Sequence, residues 1–100
     1  MPEIIPSKKF LKDLDKFHPN PNMRKKIAKT LVQLQNDPLH PGLHLERIVN
    51  DPSAWSIWID RKDRISIEPE KHLVSGNPDW KAPVILLRFL LHDDLYRFPR

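Results

Sequence analysis

Residues Val84 to Leu91 form an apolar run broken only by Arg88, and the run discharges straight into His92-Asp93-Asp94-Leu95-Tyr96. A stretch so short and so apolar reads as a strand buried on both faces. Its exit therefore sets the imidazole of His92 where a rigid core meets water. Upstream, Trp55-Ser56-Ile57-Trp58-Ile59 and Ile65-Ser66-Ile67 read as two more strands, joined by the polar turn Asp60-Arg61-Lys62-Asp63 with Arg64 at its far end.

The chain has 100 residues, 39% of them hydrophobic, enough for one core and one domain over residues 1–100. A surface site is expected rather than a deep cavity. Seventeen Lys and Arg against 13 Asp and Glu give a formal charge of +4, which suits a polyanion or an acidic protein segment. Cysteine is absent, which excludes disulfides, thiolate metal sites and thiol redox chemistry and makes the cytoplasm the natural compartment. No stretch approaches the roughly 20 apolar residues of a membrane helix. The opening residues lack the basic and apolar regions of a secretion signal, so a soluble, unprocessed chain with no membrane partner is expected.

Glu3 to Ile5 predicts a short edge strand ending at Pro6. Ser7 then caps a helix carrying Phe10, Leu14 and Phe17 on one stripe, with Lys8, Lys9, Lys12, Asp13, Asp15 and Lys16 on the remainder. His18-Pro19-Asn20-Pro21 stops it. Asn20 caps a second helix with Pro21 at its first position, and Met23, Ile27, Leu31 and Leu34 recur at helical spacing until Asn36-Asp37-Pro38. A weaker alternation from Leu43 to Val49 predicts the second strand, and Pro69 to Pro83 has the composition of a long exposed loop. The helical hairpin has only the sheet to cover. The expected fold class is thus α+β, with the hairpin on one face of a small, twisted, mainly antiparallel sheet.

Period-two alternation assigns side chains to the two faces. Ile65 and Ile67 under the helices send Arg64 and Trp58 to the helix-free face. In the last strand Ile85, Leu87, Phe89 and Leu91 make the better core set, which puts Arg88 and His92 on the open side. His44 and Glu46 join them if Leu43 and Leu45 point inward. Glu46, Arg64, Arg88, His92 and nearby Tyr96 then form one polar constellation.

The order of these pieces resembles a known family. A lysine-rich helical hairpin, Asp37-Pro38-x-His40-Pro41-Gly42-Leu43, Trp55-Ser56-Ile57-x-Ile59, Arg64-Ile65 and an apolar strand ending in His92-Asp93-x-Leu95-Tyr96 together look like the RelE/ParE superfamily of toxin-antitoxin toxins. The resemblance implies the RelE-like branch: an endoribonuclease that cuts messenger RNA on the ribosome, arrests translation, uses no metal or other cofactor, and is silenced by a cognate antitoxin. It implies His92 as the acid, Glu46 as the base, Arg64 as the grip on the scissile phosphate, and Tyr96 as a stacking or phosphate-orienting group. Arg88 would help bind RNA, and Arg24, Lys25, Lys26 and Lys29 would face ribosomal RNA. Many relatives carry an arginine where this chain has Trp58, so a stacking surface for a base or an antitoxin strand replaces a basic contact.

Each of these residues also has an ordinary structural reading. A histidine at a strand end is commonly a satisfied structural group, Glu46 a solvated strand residue, and Arg64 the partner of Asp60 or Asp63 at a hairpin end. Arg88 inside an apolar strand needs a partner or an exit to water. The lysines of the second helix suit a solvated face. His40 and His44 lie four apart, but Pro41-Gly42 forbids the helix that would pair them on a metal. Beside the nuclease stand two other classes: a ParE-like inhibitor of DNA gyrase, and a non-catalytic member that only binds an antitoxin or other partner.

Overall fold

The computed structural model describes residues 2–100. Its elements follow in the order β1 (Ile4–Pro6), α1 (Lys8–Phe17), α2 (Pro21–Asn36), a 3-10 turn (Pro41–Leu43), β2 (Glu46–Arg47), β3 (Trp55–Trp58), β4 (Asp63–Pro69), β5 (Val84–Leu91) and α3 (His92–Arg97). The five strands make one sheet in the order β1-β5-β4-β3-β2. Only the β1–β5 pair is parallel. The predicted α+β architecture, a helical hairpin against one face of a mainly antiparallel sheet, is the one observed.

Both hairpin helices start where their capping chemistry dictates. The Ser7 hydroxyl accepts the Phe10 N–H at 3.1 Å and donates to the Leu87 carbonyl at 3.0 Å, so one side chain both caps α1 and ties it to β5. Asn20 accepts the Met23 N–H at 2.8 Å with Pro21 opening α2. His18, in the left-handed region at φ 43°, ends α1. Phe10, Ile27 and Leu34 bury against Ile57, Ile65, Ile67, Val84, Leu86 and Phe89. That is the main core.

Strand β5 departs from simple alternation. Ser66 pairs with Arg88 and Ile67 with Leu86, which leaves Leu87 unmatched as a β-bulge. Leu86 and Phe89 therefore both face the helices, while Ile85, Leu87 and Leu90 face the other way. The single core set Ile85, Leu87, Phe89 and Leu91 is corrected accordingly, because one extra residue reverses the facing of everything before it. The outward set is not left bare. With Ile48, Ala54 and Leu95 it forms a second small core under α3.

The second strand and the exit of β5 also differ from expectation. The strand predicted over Leu43 to Val49 is reduced to Glu46–Arg47, because the 3-10 turn and a left-handed His44 (φ 49°, ψ 47°) occupy its start. Ile48 then turns inward, donating its N–H to the Ala54 carbonyl at 3.1 Å. His92 opens α3 rather than ending the strand, and its backbone N–H donates to the Lys62 carbonyl at 2.8 Å. Among the described residues no helix is long and apolar enough to cross a membrane.

Candidate functional site

On the α3 side of the sheet, β2, β3, β4 and α3 contribute one polar side chain or more each to a continuous cluster. The Tyr96 hydroxyl donates to Glu46 Oε2 at 3.1 Å and lies 3.4 Å from Ser56 Oγ. Four residues earlier on the same short helix, the His92 ring meets Tyr96 edge to face, with centroids 4.7 Å apart. His92 Nδ1 is 3.1 Å from Asp93 Oδ1, and its side chain is 49% exposed. The ring is reachable from solvent.

Arg64 stands at the other end of this cluster and is 4% exposed. Its Nη1 donates to the backbone carbonyls of Asp60 and Asp63, the latter at 3.1 Å. These are carbonyls, not the carboxylates of a hairpin-end ion pair. Its Nε is enclosed without an acceptor. Burial pulls the guanidinium below its ordinary pKa, and the Tyr96 phenol, Asp60, Asp63 and Glu46 offset part of that pull. A shallow cleft of about 450 Å³ is lined by Arg61, Lys62, Arg64, Leu91, His92 and Asp93, so the arginine and the histidine border the same space.

The structure does not bring the other predicted residues into that cleft. Arg88 reaches back over the sheet edge to Asp13 on α1, through Nε at 2.7 Å and Nη2 at 3.0 Å. Asp13 Oδ2 also accepts the Phe89 N–H at 3.0 Å, an edge donor left free where β1 stops. Arg88 is therefore committed to a carboxylate, which corrects its placement as a free RNA contact. Asp13, which simple amphipathicity places on the polar remainder of α1, is buried. Its spacing was the available signal, since it lies three residues after Phe10 on the apolar stripe.

Trp58 is on the open face, but both of its ring faces are covered. The Arg64 Cζ lies 4.0 Å from the indole centroid on one side, and the His44 imidazole stacks at 4.0 Å and 22° on the other. No base can stack there while His44 holds that position. On α2, Lys26 is 3.7 Å from Asp60, Arg24 Nε donates to the Pro19 carbonyl at 3.0 Å, and Lys25 and Lys29 are exposed. These four belong to the helix that packs on the far side of the sheet. Asp60 itself is pushed up by burial, but the N–H groups of Asp63 and Lys62 outweigh that and hold it below its ordinary value.

A clamp that sequence reasoning missed holds α3 and the residues after it. Ser66 Oγ donates to the Pro99 carbonyl at 2.6 Å, and the Arg100 guanidinium donates to Asp51, Ser53 and Glu68 together. These partners come from three separate parts of the chain, so no local spacing announces them. Among the described residues no group of three or more His, Cys, Asp or Glu is placed to hold a metal ion.

Chemically, the cluster offers an exposed imidazole, a carboxylate bonded to a phenol, and a guanidinium bordering one cleft. This helical hairpin, five-stranded sheet and short terminal helix make an α+β fold shared with solved toxins of the RelE, YoeB/ParE and YafQ types. It matches the YoeB/ParE toxin from Agrobacterium tumefaciens at a TM-score of 0.66 and 13% identity, covering 90% of this chain and 98% of that one. It matches YafQ from E. coli strain BL21(DE3) at 0.64 and 16%, covering 95% and 98%. A third match, at 0.61 and 23% over 94% and 96%, is to the RelB-RelE antitoxin-toxin complex from Methanococcus jannaschii. No protein-family model and no curated protein matches the sequence.

Proposed function

We propose that this protein is the toxin of a toxin-antitoxin pair and acts in the cytoplasm as an endoribonuclease on messenger RNA held by the ribosome. The observation that carries this reading is the convergence of His92, Tyr96, Glu46 and Arg64 on one side of the sheet, with His92 and Arg64 lining one cleft. The toxin fold supports it, as does an antitoxin bound to one of the matching toxins.

In this mechanism the Glu46 carboxylate takes the proton of the ribose 2′-hydroxyl as that oxygen attacks phosphorus. The bond to the 5′-oxygen breaks, a 2′,3′-cyclic phosphate forms, and protonated His92 delivers a proton to the departing oxygen. Asp93 Oδ1, 3.1 Å from Nδ1, fixes the orientation of the ring and leaves Nε2 for the substrate. The Tyr96 hydroxyl orients Glu46. Arg64, which borders the same cleft as His92, supplies positive charge toward the phosphoryl oxygens from its place against Trp58. A cleft this open positions RNA poorly by itself, which is why the ribosome is the expected scaffold.

His92→Ala tests the reading. Messenger RNA cleavage in a translating extract should fall by about 10²-fold or more, with antitoxin binding intact. Growth arrest that survives the substitution without RNA cleavage points instead to a gyrase-blocking toxin. No arrest or cleavage by the unaltered protein points to a non-catalytic binder.

A further inference from the structure

The stack His44–Trp58–Arg64 is asymmetric in what holds it. On one side the guanidinium is buried, tied to two backbone carbonyls and enclosed by the indole. On the other side the imidazole belongs to an exposed residue, and among the described residues no hydrogen bond holds its ring. Stacking alone keeps it there.

The backbone beneath His44 is built to deliver that ring. Pro41–Leu43 forms a 3-10 turn, His40 Nδ1 accepts the Gly42 N–H at 3.0 Å, and the His44 N–H donates to the Pro41 carbonyl at 3.1 Å. A Cβ at position 42 would meet His40 Nδ1 at 3.0 Å, so glycine keeps the turn tight. His44 itself takes the left-handed conformation, which is disfavoured for a side chain with a Cβ. The chain thus accepts backbone strain to lay a flat, nitrogen-containing ring parallel to an indole. That is the pose of a nucleobase on a tryptophan.

We propose that Trp58 is a nucleobase-stacking subsite and that His44 occupies the base position in the free protein as a displaceable placeholder. The inference rests on the RNA-binding reading above and adds to it a recognition element for one base. Displacing His44 needs only rotation of its side chain into solvent, with no hydrogen bond broken. A cation fixed against one indole face draws the ring's electron density toward it, which favours a neutral, electron-rich ring on the opposite face. Purines fit that preference best, because their two fused rings cover more of the indole than an imidazole does. Glu46 is two residues beyond His44 and pairs with Ser56, two residues before Trp58, so a base seated here is anchored beside the proposed catalytic carboxylate.

The test uses Trp55→Phe and Trp80→Phe so that Trp58 is the sole tryptophan, excited selectively over Tyr96, with 2′-O-methyl hexamers that cannot be cleaved. Hexaadenylate should quench Trp58 and bind more tightly than hexauridylate, and an abasic hexamer of equal charge should bind without quenching. Adding His44→Gly, which suits the left-handed backbone and removes the ring, should tighten hexaadenylate binding about 3- to 10-fold and leave the abasic hexamer unchanged. His44→Ala should shift affinity in the same direction. Unchanged or weaker hexaadenylate binding by the glycine variant overturns the placeholder role. Equal binding of all three hexamers, still weakened by salt, overturns the subsite while the RNA reading stands. Absence of binding to any hexamer and to ribosomes removes both.

Discussion

Asp13 does three jobs with one carboxylate. It fixes the guanidinium of Arg88 with two oxygens, satisfies the Phe89 N–H at the sheet edge, and joins α1 to β5. The hydrogen bond to Asp13 in turn raises Arg88 above its ordinary pKa, so the arginine stays charged. Asp13→Ala leaves a part-buried cation and a backbone donor without acceptors and should cost about 3 kcal/mol or more in urea unfolding. The double variant with Arg88→Ala should cost less than the sum of the two single changes, since the orphaned charge is then gone. The need for a partner at Arg88 was legible from a charge inside an apolar strand. Its identity was not, because 75 residues separate the pair and several acidic side chains qualified.

At the scale of elements, α3 is the piece on which the candidate site depends most. It has only six residues and no side-chain N-cap, so its own helical stability is small. It is held by Leu95, fully buried against Ile48, Ala54, Leu87 and Leu90. Leu95→Ala should cost about 2–4 kcal/mol, and hydrogen exchange should show α3 opening while the amides of β4 and β5 stay protected. Loss of protection across the whole sheet would mean that the two cores form one cooperative unit. The second core became possible when the bulge at Leu87 turned Ile85 and Leu87 away from the helices to join Leu90. A bulge has no fixed sequence signature, so alternation applied along the uninterrupted strand assigned one face where the chain uses two.

For the whole molecule, charge decides both partner and acid stability. A surplus of four positive charges favours a polyanion, and affinity for single-stranded RNA should fall with salt by a log–log slope of about 0.7 per phosphate contacted. A flat titration would remove RNA as the partner of this surface. Within the fold, the Arg100 hydrogen bonds hold Asp51 and Glu68 below their ordinary carboxylate values. Groups with depressed folded pKa values stabilise above their unfolded pKa of roughly 4 and lose that contribution as pH falls through the depressed values. Thermal melts should therefore show Arg100→Gln less stable than the parent at pH 7 and the difference closing toward pH 2. A difference that persists there would mean that Arg100 acts through packing alone.

The sequence alone determined the helical hairpin with both its caps, the three long strands and the fold class, because each rests on local chemistry: side-chain caps, prolines and the period of apolar residues. It also offered His92, Glu46, Arg64 and Tyr96 as candidates for one polar site. Only the tertiary structure decided that Arg88 answers to Asp13, that α3 covers the sheet face expected to be open, and that His44 and Arg64 enclose Trp58. Those outcomes depend on where distant segments meet, and distance in space is set by the packing of the whole chain, not by the spacing of any part of it.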